Sequence, residues 1–352
     1  MIIIGEKING SIPSVAAAIA SRDESVIKDR ALAQAKAGAT YIDCCASVAE
    51  EVEVETMKWM IDCIQEVTDL PIAVDSPSAD VLTKAYVYCN KPGLFNSVSG
   101  EGDKMDKIFP LMVQPGMEKW EVVALLSDDT GIPKSAADRL RVFDKIMAKA
   151  NAYGIDPSRI HIDPLVEMLC TSEDGIAMVV EVMEGIKSKY PTIHITGAVS
   201  NISFNLPYRK VLNQSFTVLS MASGLDSAIF DPLNKALMGL IKSTEAIMAA
   251  GLEEDMDLSE IEAQLGADAP YVYPAYVCLA MNEGFIEPEE DEEYEERDVE
   301  GLADELIESG KVKMDTRDFT GLLFANDAML GNDDMCMNYI SAFRDELFGP
   351  VK

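Results

Sequence analysis

Short apolar runs alternate along the first two thirds of the chain with longer segments of helical periodicity. Eight runs have the length and composition of buried strands: Met1–Ile4, Thr40–Cys44, Ile72–Val74, Leu94–Phe95, Val122–Leu126, Ile160–Ile162, Ile193–Ala198 and Ala228–Phe230. The segments between them repeat apolar residues every three to four positions. Asp23–Ala37 starts on a capping Asp and stops at Gly38, and 54–68 sets Met57, Ile61, Ile64 and Val67 on one face. Asp138–Tyr153, Asp174–Tyr190, Arg209–Ala222 and Asn234–Ala250 read as helices by the same signals. Eight such β/α units in residues 1–250 predict an α/β fold of the (β/α)8 TIM barrel type. A doubly wound open sheet is disfavoured, since no glycine-rich G-x-G-x-x-G turn follows the first run.

Beyond Ala250 the pattern changes. Residues 251–268 are acidic, Tyr271–Met281 is apolar, and Glu287–Glu300 reads "EPEEDEEYEERDVE". Such an acid run reads first as solvated linker or helix surface, with partner docking as the rival reading. Gly301–Ser309, Thr316–Met329 and Asn332–Phe348 follow as three short helices. Residues 251–352 are therefore expected to form an acidic, mostly helical accessory module, a small C-terminal extension to the barrel.

Composition narrows the function. The 352 residues hold 61 Asp and Glu against 29 Lys and Arg, a net charge of −32. That surface repels phosphate backbones and anionic lipid, so neither nucleic acid nor membrane is expected as a partner. No apolar run reaches the roughly 18–20 residues of a membrane span. The first residues show no basic region or cleavage site, so no signal peptide is expected. The seven cysteines lie mostly in apolar segments, the habit of reduced thiols in a cytoplasmic protein.

In a barrel of this kind the chemistry sits at the C-terminal ends of the strands. There the chain places Glu6, Lys7 and Asn9, then Asp43, Asp75, Asn96, Ser127 with Asp128, Asp163, Asn201 and Asp231. Each alone is compatible with a helix cap or a turn. Together they would line one opening with amides and carboxylates, a set suited to a flat, nitrogen-rich heterocycle. With two histidines and no Cys-x-x-Cys pair, no metal site is expected in this chain. His161, His194 and the Cys44–Cys45 pair read first as structural.

The motifs "IIGEKIN", "IAVDS", "FNSVSGE", "TGIPKSAADRL", "IHIDPLV", "GAVSNISFNLPYRKVLNQSF" and "GLDSAIFDP" appear in the order seen in pterin-binding methyltransferases. In pattern the chain resembles the methyltetrahydrofolate:corrinoid protein methyltransferases and the folate module of cobalamin-dependent methionine synthase. The resemblance spans about residues 1–250. It implies a homodimeric barrel that exchanges a methyl group between N5 of tetrahydrofolate and the cobalt of a separate corrinoid (cobalamin) protein. Carried over by motif, Asp75, Asn96 and Asp163 would hydrogen-bond the pterin edge. Asn201 would reach N5, and Arg209 would line the pocket. Glu6, Asn9 and Ser203 complete the expected pterin-binding set. Asn201 and Asp163 are the expected catalytic pair; the proton would come from solvent or from a carboxyl relay, Asp163 or Asp75, if burial raises its pKa.

The chain departs from the family pattern in three places. "DCCAS" stands where the family carries D-x-N-x-G, so Cys45 replaces an amide and Ser47 a glycine. Asn205 stands where glycine is common, and Lys7 where arginine is often seen. The altered strand-two turn leaves open an alternative: the same fold and corrinoid partner with a methylated amine or aryl methyl ether as donor.

Overall fold

The computed structural model describes residues 1–291 and 296–350. The expected acid run at 287–300 thus falls partly outside the described residues. The chain folds as two units. The first comprises Met1–Leu165, Glu181–Ala198 and Leu225–Leu233; the second comprises Val166–Val180, Val199–Gly224 and Asn234–Lys352.

The first unit holds eight parallel strands: β1 (Ile2–Asn9), β2 (Tyr41–Cys45), β3 (Ile72–Asp75), β4 (Leu94–Gly100), β5 (Glu121–Asp128), β6 (Ile160–Asp163), β7 (His194–Ile195) and β8 (Ser227–Phe230). They pair in the order β7-β6-β5-β4-β3-β2-β1-β8. The ring closes where Ile229 N–H donates to Gly197 O at 2.9 Å and Ala198 bridges Ile229 in parallel. This is the (β/α)8 TIM barrel that the strand–helix rhythm predicts.

In chain order the helices are α1 (Pro13–Ser21), α2 (Glu24–Lys36), α3 (Glu50–Gln65), α4 (Ala79–Ala85), α5 (Lys104–Met112), α6 (Ala136–Tyr153), α7 (Ala177–Lys189), α8 (Arg209–Ala222) and α9 (Lys235–Ala250). Their ends follow local chemistry. Asp23 accepts from Ser25 N–H at 3.0 Å and starts α2; Asn234 accepts from Leu237 N–H at 3.2 Å and starts α9. Gly154 ends α6 in the left-handed region, at φ 74°, where a Cβ would be strained. The cap of α6 is Ser135, accepting from Asp138 N–H at 3.1 Å, so the helix starts two residues before the expected Asp138.

Strand limits differ from expectation, and the difference matters for the site. Strand β1 runs on to Asn9, β4 to Gly100 and β5 to Asp128. Polar residues expected just past these strands are therefore inside them, because a neighbouring strand pairs with their backbone regardless of side-chain polarity. Asp43 lies mid-strand in β2. Conversely β7 is two residues long, and Asn201 ends a separate 3-10 turn, Val199–Asn201, in the second unit.

Side chains two apart share a face of a strand. Inside the barrel Ile4, Tyr41, Ala73, Leu94 and Val123 form one apolar cluster, with Ile2, Leu125 and Ile229 packed on it. Fully burying one such aliphatic side chain stabilises the fold by about 2–3 kcal/mol. Two residues further along the same strands come Asp43, Asp75 and Asn96. Near the strand starts lies a polar layer. Glu121 accepts from Tyr41 Oη at 2.9 Å and meets His161 Nε2 at 2.8 Å, while His161 Nδ1 meets Ser227 Oγ at 3.1 Å. Both expected structural histidines are tied down, since His194 stacks on His161 at 4.7 Å and contacts Asp226 at 3.2 Å.

The second unit adds α10 (Ser259–Leu265), α11 (Val272–Asn282), the antiparallel pair β9 (Glu290–Asp291) and β10 (Glu296–Arg297), α12 (Val299–Glu308), α13 (Thr316–Met329) and α14 (Met337–Arg344). Helix α8 packs against α9, α11 and α13. The buried Ser215 donates to Asn326 Oδ1 at 2.9 Å. Tyr208 and Lys210 both bond Asp318, Lys210 at 2.7 Å. Among the described residues no helix is long and apolar enough to cross a membrane.

Candidate active site

Strand register sets the centre of the site. Asp75 of β3 pairs with Cys45 of β2 on one side and Asn96 of β4 on the other. Asn96 is buried, and its Nδ2 donates to Asp43 Oδ1 at 3.3 Å. Three groups from three adjacent strands thus meet at one end of the barrel.

Two carboxyls this close inside a protein cannot both ionise freely. Burial, then the charge of Asp75, pushes Asp43 well above the ordinary carboxylate range; the Asn96 bond pulls the other way and Glu6 adds to the rise. Burial lifts Asp75 to about 6, against a hydrogen bond from Cys45 and with a further push from Glu53. Burial and the neighbouring charge thus favour the protonated form of Asp43, while Asp75 gains a proton at about pH 6.

Asp163 ends β6, where it is 8% exposed. Burial raises it to about 6, opposed by the Leu165 N–H and by the charge of Arg139. Its Oδ1 accepts from Leu165 N at 2.8 Å, with Leu165 in the left-handed region at φ 64°. The turn is held from below by Arg139, fully buried, which donates to Pro164 O at 2.6 Å, Leu165 O at 2.7 Å and Pro133 O at 3.2 Å.

The remaining first-unit residues divide by how they are engaged. Asn9 Oδ1 accepts from Ser11 N at 2.9 Å and from Ser47 Oγ at 3.2 Å, so it shapes the turn after β1. Glu6 is half-buried on β1 and is felt by Asp43. Lys7 pairs with Asp231 at 3.1 Å across β1 and the end of β8. Ser127 donates to Glu101, itself bonded by Lys104. Asp128 is a turn residue, accepting from Thr130 N at 3.0 Å and Oγ1 at 2.6 Å.

Asn201, Ser203 and Arg209 form a second cluster, within the second unit. Arg209 Nε donates to Ser203 Oγ at 3.0 Å and its Nη2 to Ser200 O at 2.6 Å. The guanidinium lies 5.8 Å from the Phe204 ring. Asn201 is exposed, and its backbone oxygen accepts from Phe204 N at 3.2 Å. Arg209 thus braces the loop that presents Asn201. Sequence reasoning named Asp43 as a strand-end position and left it out of the binding set. Its signal was the alternation Tyr41, Asp43, Cys45, which turns an acid inward beside Asp75.

Residues 9–231 match the family described as pterin binding enzyme. The chain belongs to this family. It is 48% identical over 248 residues to the methylcorrinoid:tetrahydrofolate methyltransferase of Eubacterium limosum, covering 70% of this chain and 91% of that protein. It is 30% identical over 243 residues to the methionine synthase of Mycobacterium leprae, spanning 65% of this chain and 20% of that longer protein. A dihydropteroate synthase from Xanthomonas albilineans bound to 4-aminobenzoic acid superposes with TM-score 0.52 at 18% identity, over 70% of this chain and 92% of that one. That last likeness is one of fold.

Proposed function

We propose that this enzyme is a methyltransferase that moves a methyl group between N5 of tetrahydrofolate and the cobalt of a corrinoid protein. The observation that carries the reading is the triad of Asp43, Asp75 and Asn96 joined across adjacent strands inside a pterin-family barrel. The 48% identity to a methylcorrinoid:tetrahydrofolate methyltransferase supports the choice of reaction.

A reduced pterin offers N–H donors and ring nitrogen and carbonyl acceptors along one edge. Carboxylates at Asp75 and Asp163 accept from the N–H groups, and the Asn96 amide can do either. Asp43 Oδ1 accepts from Asn96 Nδ2, which leaves Asn96 Oδ1 for a ligand N–H. When the methyl leaves, the electron pair of the C–N bond stays on N5, which must gain a proton or a strong hydrogen bond. Asn201 is the proposed partner of N5. An amide supplies no proton at neutral pH, but a bond that strengthens as charge builds on N5 lowers the barrier. Asp163, poised at about 6, is the proposed proton relay. Arg209, Ser203, Glu6 and Asn9 are carried over from the family pattern as further proposed pterin-binding residues. The partner's cobalt, when docked, supplies the methyl acceptor or donor, and this chain's part is to hold and orient the folate. We take residues 1–250 as the pterin module and 251–352 as an accessory helical module, with homodimeric assembly and a cytoplasmic setting carried over from the family.

The test is a calorimetric titration with methyltetrahydrofolate and tetrahydrofolate, followed by absorbance of methylcob(III)alamin mixed with tetrahydrofolate and enzyme. Micromolar binding that weakens at least tenfold in Asp163→Ala, with methyl transfer slowed about 10–100-fold in Asn201→Ala, is the expected result. Absence of binding to either folate overturns the reading.

A further inference from the structure

Next to Asp75 the site contains two side chains with one mobile proton each. Cys45 Sγ lies 3.2 Å from Ser47 Oγ and also hydrogen-bonds Asp75. Ser47 Oγ lies 3.2 Å from Asn9 Oδ1. Register places these groups together, since Cys45 pairs with both Asn9 of β1 and Asp75 of β3. Cys45 is 7% exposed, so water does not readily replace its partners, whereas Ser47 and its bond to Asn9 lie at the solvent edge of the chain.

Resting on the folate reading above, we propose that Cys45 and Ser47 are positioning residues of the pterin site, forming with Asn9 and Asp75 a hydrogen-bond chain whose direction follows the charge on Asp75. The argument is proton counting. A thiol and a hydroxyl each donate once. When Asp75 is neutral it is a donor toward Cys45 Sγ, Cys45 S–H donates to Ser47 Oγ, and Ser47 O–H donates to Asn9 Oδ1. When Asp75 ionises, its proton leaves to solvent and the carboxylate draws the Cys45 S–H. Sγ then accepts from the Ser47 O–H, which turns away from Asn9. Asn9 Oδ1 keeps the Ser11 N–H and regains one acceptor position. One ionisation thus presents two acceptors together, the Asp75 carboxylate and the Asn9 amide oxygen, to the N–H groups of a pterin.

The groups that act on Asp75 are Asp43 and Cys45 on β2, Glu53 on α3 and the neutral Asn96 on β4, with Glu6 of β1 acting through Asp43. The acids raise its proton affinity, and the thiol bond lowers it by stabilising the carboxylate. Removing that bond moves the Asp75 titration upward. Restoring a donor of similar size moves it back.

The experiment titrates apo enzyme carrying 13C-aspartate by difference infrared spectroscopy, with the Asp75 band assigned by its loss in Asp75→Asn. The wild-type midpoint is expected near about 6. Cys45→Ala is expected to raise it by about half a unit and Ser47→Ala by less, while Cys45→Ser returns it to the wild-type value or below. At pH 5.5, methyltetrahydrofolate binding is expected to weaken about threefold in Cys45→Ala and to be rescued in Cys45→Ser. Midpoints unmoved in both Cys45→Ala and Ser47→Ala overturn the chain; should Cys45→Ala not fold, an unmoved Ser47→Ala midpoint does so alone. The infrared readout needs no folate. Shifted midpoints in an enzyme that binds no folate therefore defeat the functional reading, and with it the pterin-positioning role, while the charge-directed hydrogen-bond chain itself stands.

Discussion

Asp163→Asn should make the folate-free protein more stable and the enzyme worse. Asp163 is 8% exposed, and its folded-state pKa is about 6 against an ordinary 3.8. The gap of about 2 units, at 1.36 kcal/mol each, is about 3 kcal/mol. The raised value means that the folded state holds the proton more tightly than the unfolded chain. The favourable contribution is complete below pH 3.8 and is lost as pH rises through about 6. Above pH 7 the native protein therefore carries a buried charge that costs about 3 kcal/mol. The amide variant is nearly isosteric and keeps an oxygen for the Leu165 N–H bond at 2.8 Å. It removes the charge alone. Urea unfolding followed by tryptophan fluorescence should show a gain approaching 3 kcal/mol at pH 8 and none near pH 4, with Tm at pH 8 rising by about 4 °C. Methyltetrahydrofolate affinity should fall about 30-fold, the loss of one bond to a charged acceptor. A variant no more stable than wild type at pH 8 refutes the reasoning, because it means that the carboxylate is not strained by burial.

The support beneath that turn is equally open to test. Arg139→Met leaves the oxygens of Pro133, Pro164 and Leu165 without their buried donor, and should cost about 3 kcal/mol or more in urea unfolding. Gly10→Ala probes the junction of β1 and β2: its Cβ would lie 2.0 Å from Ala46 O, which is backbone and cannot swing aside. The ends of these strands must part, so methyltetrahydrofolate affinity should drop about tenfold while the far-ultraviolet dichroism of the fold is retained.

Much of this molecule can be read in one dimension. The eight apolar runs are the eight strands, and Arg209–Ala222 and Thr316–Met329 are helices with the expected limits. Caps such as Asp23, Asn234 and Gly154 work locally, through bonds to backbone a few residues away. Some strand limits were set by a distant partner. Strand β4 runs past Asn96 to Gly100 because β5 pairs with it, while β7 keeps two residues and the chain enters a 3-10 segment at Val199. The acids at the strand ends were legible as a set. For Asp128 and Asn9 the turn reading and the ligand reading both stood open, since an Asx turn and a ligand contact draw on the same residue types; the structure shows the turn.

The sequence by itself determined the kind of fold, through alternation of short apolar runs with amphipathic helices, and the chemical vocabulary of the opening. It also carried the family, through motifs spread over the first 250 residues. Only the tertiary structure decided the charge each carboxyl carries. Asp43, Asp75 and Asp163 are the same residue type with the same ordinary pKa, yet one is pushed well above the carboxylate range and two are raised to about 6. Proton affinity is set by burial and by neighbours from strands dozens of residues apart, and those exist only once the barrel has closed.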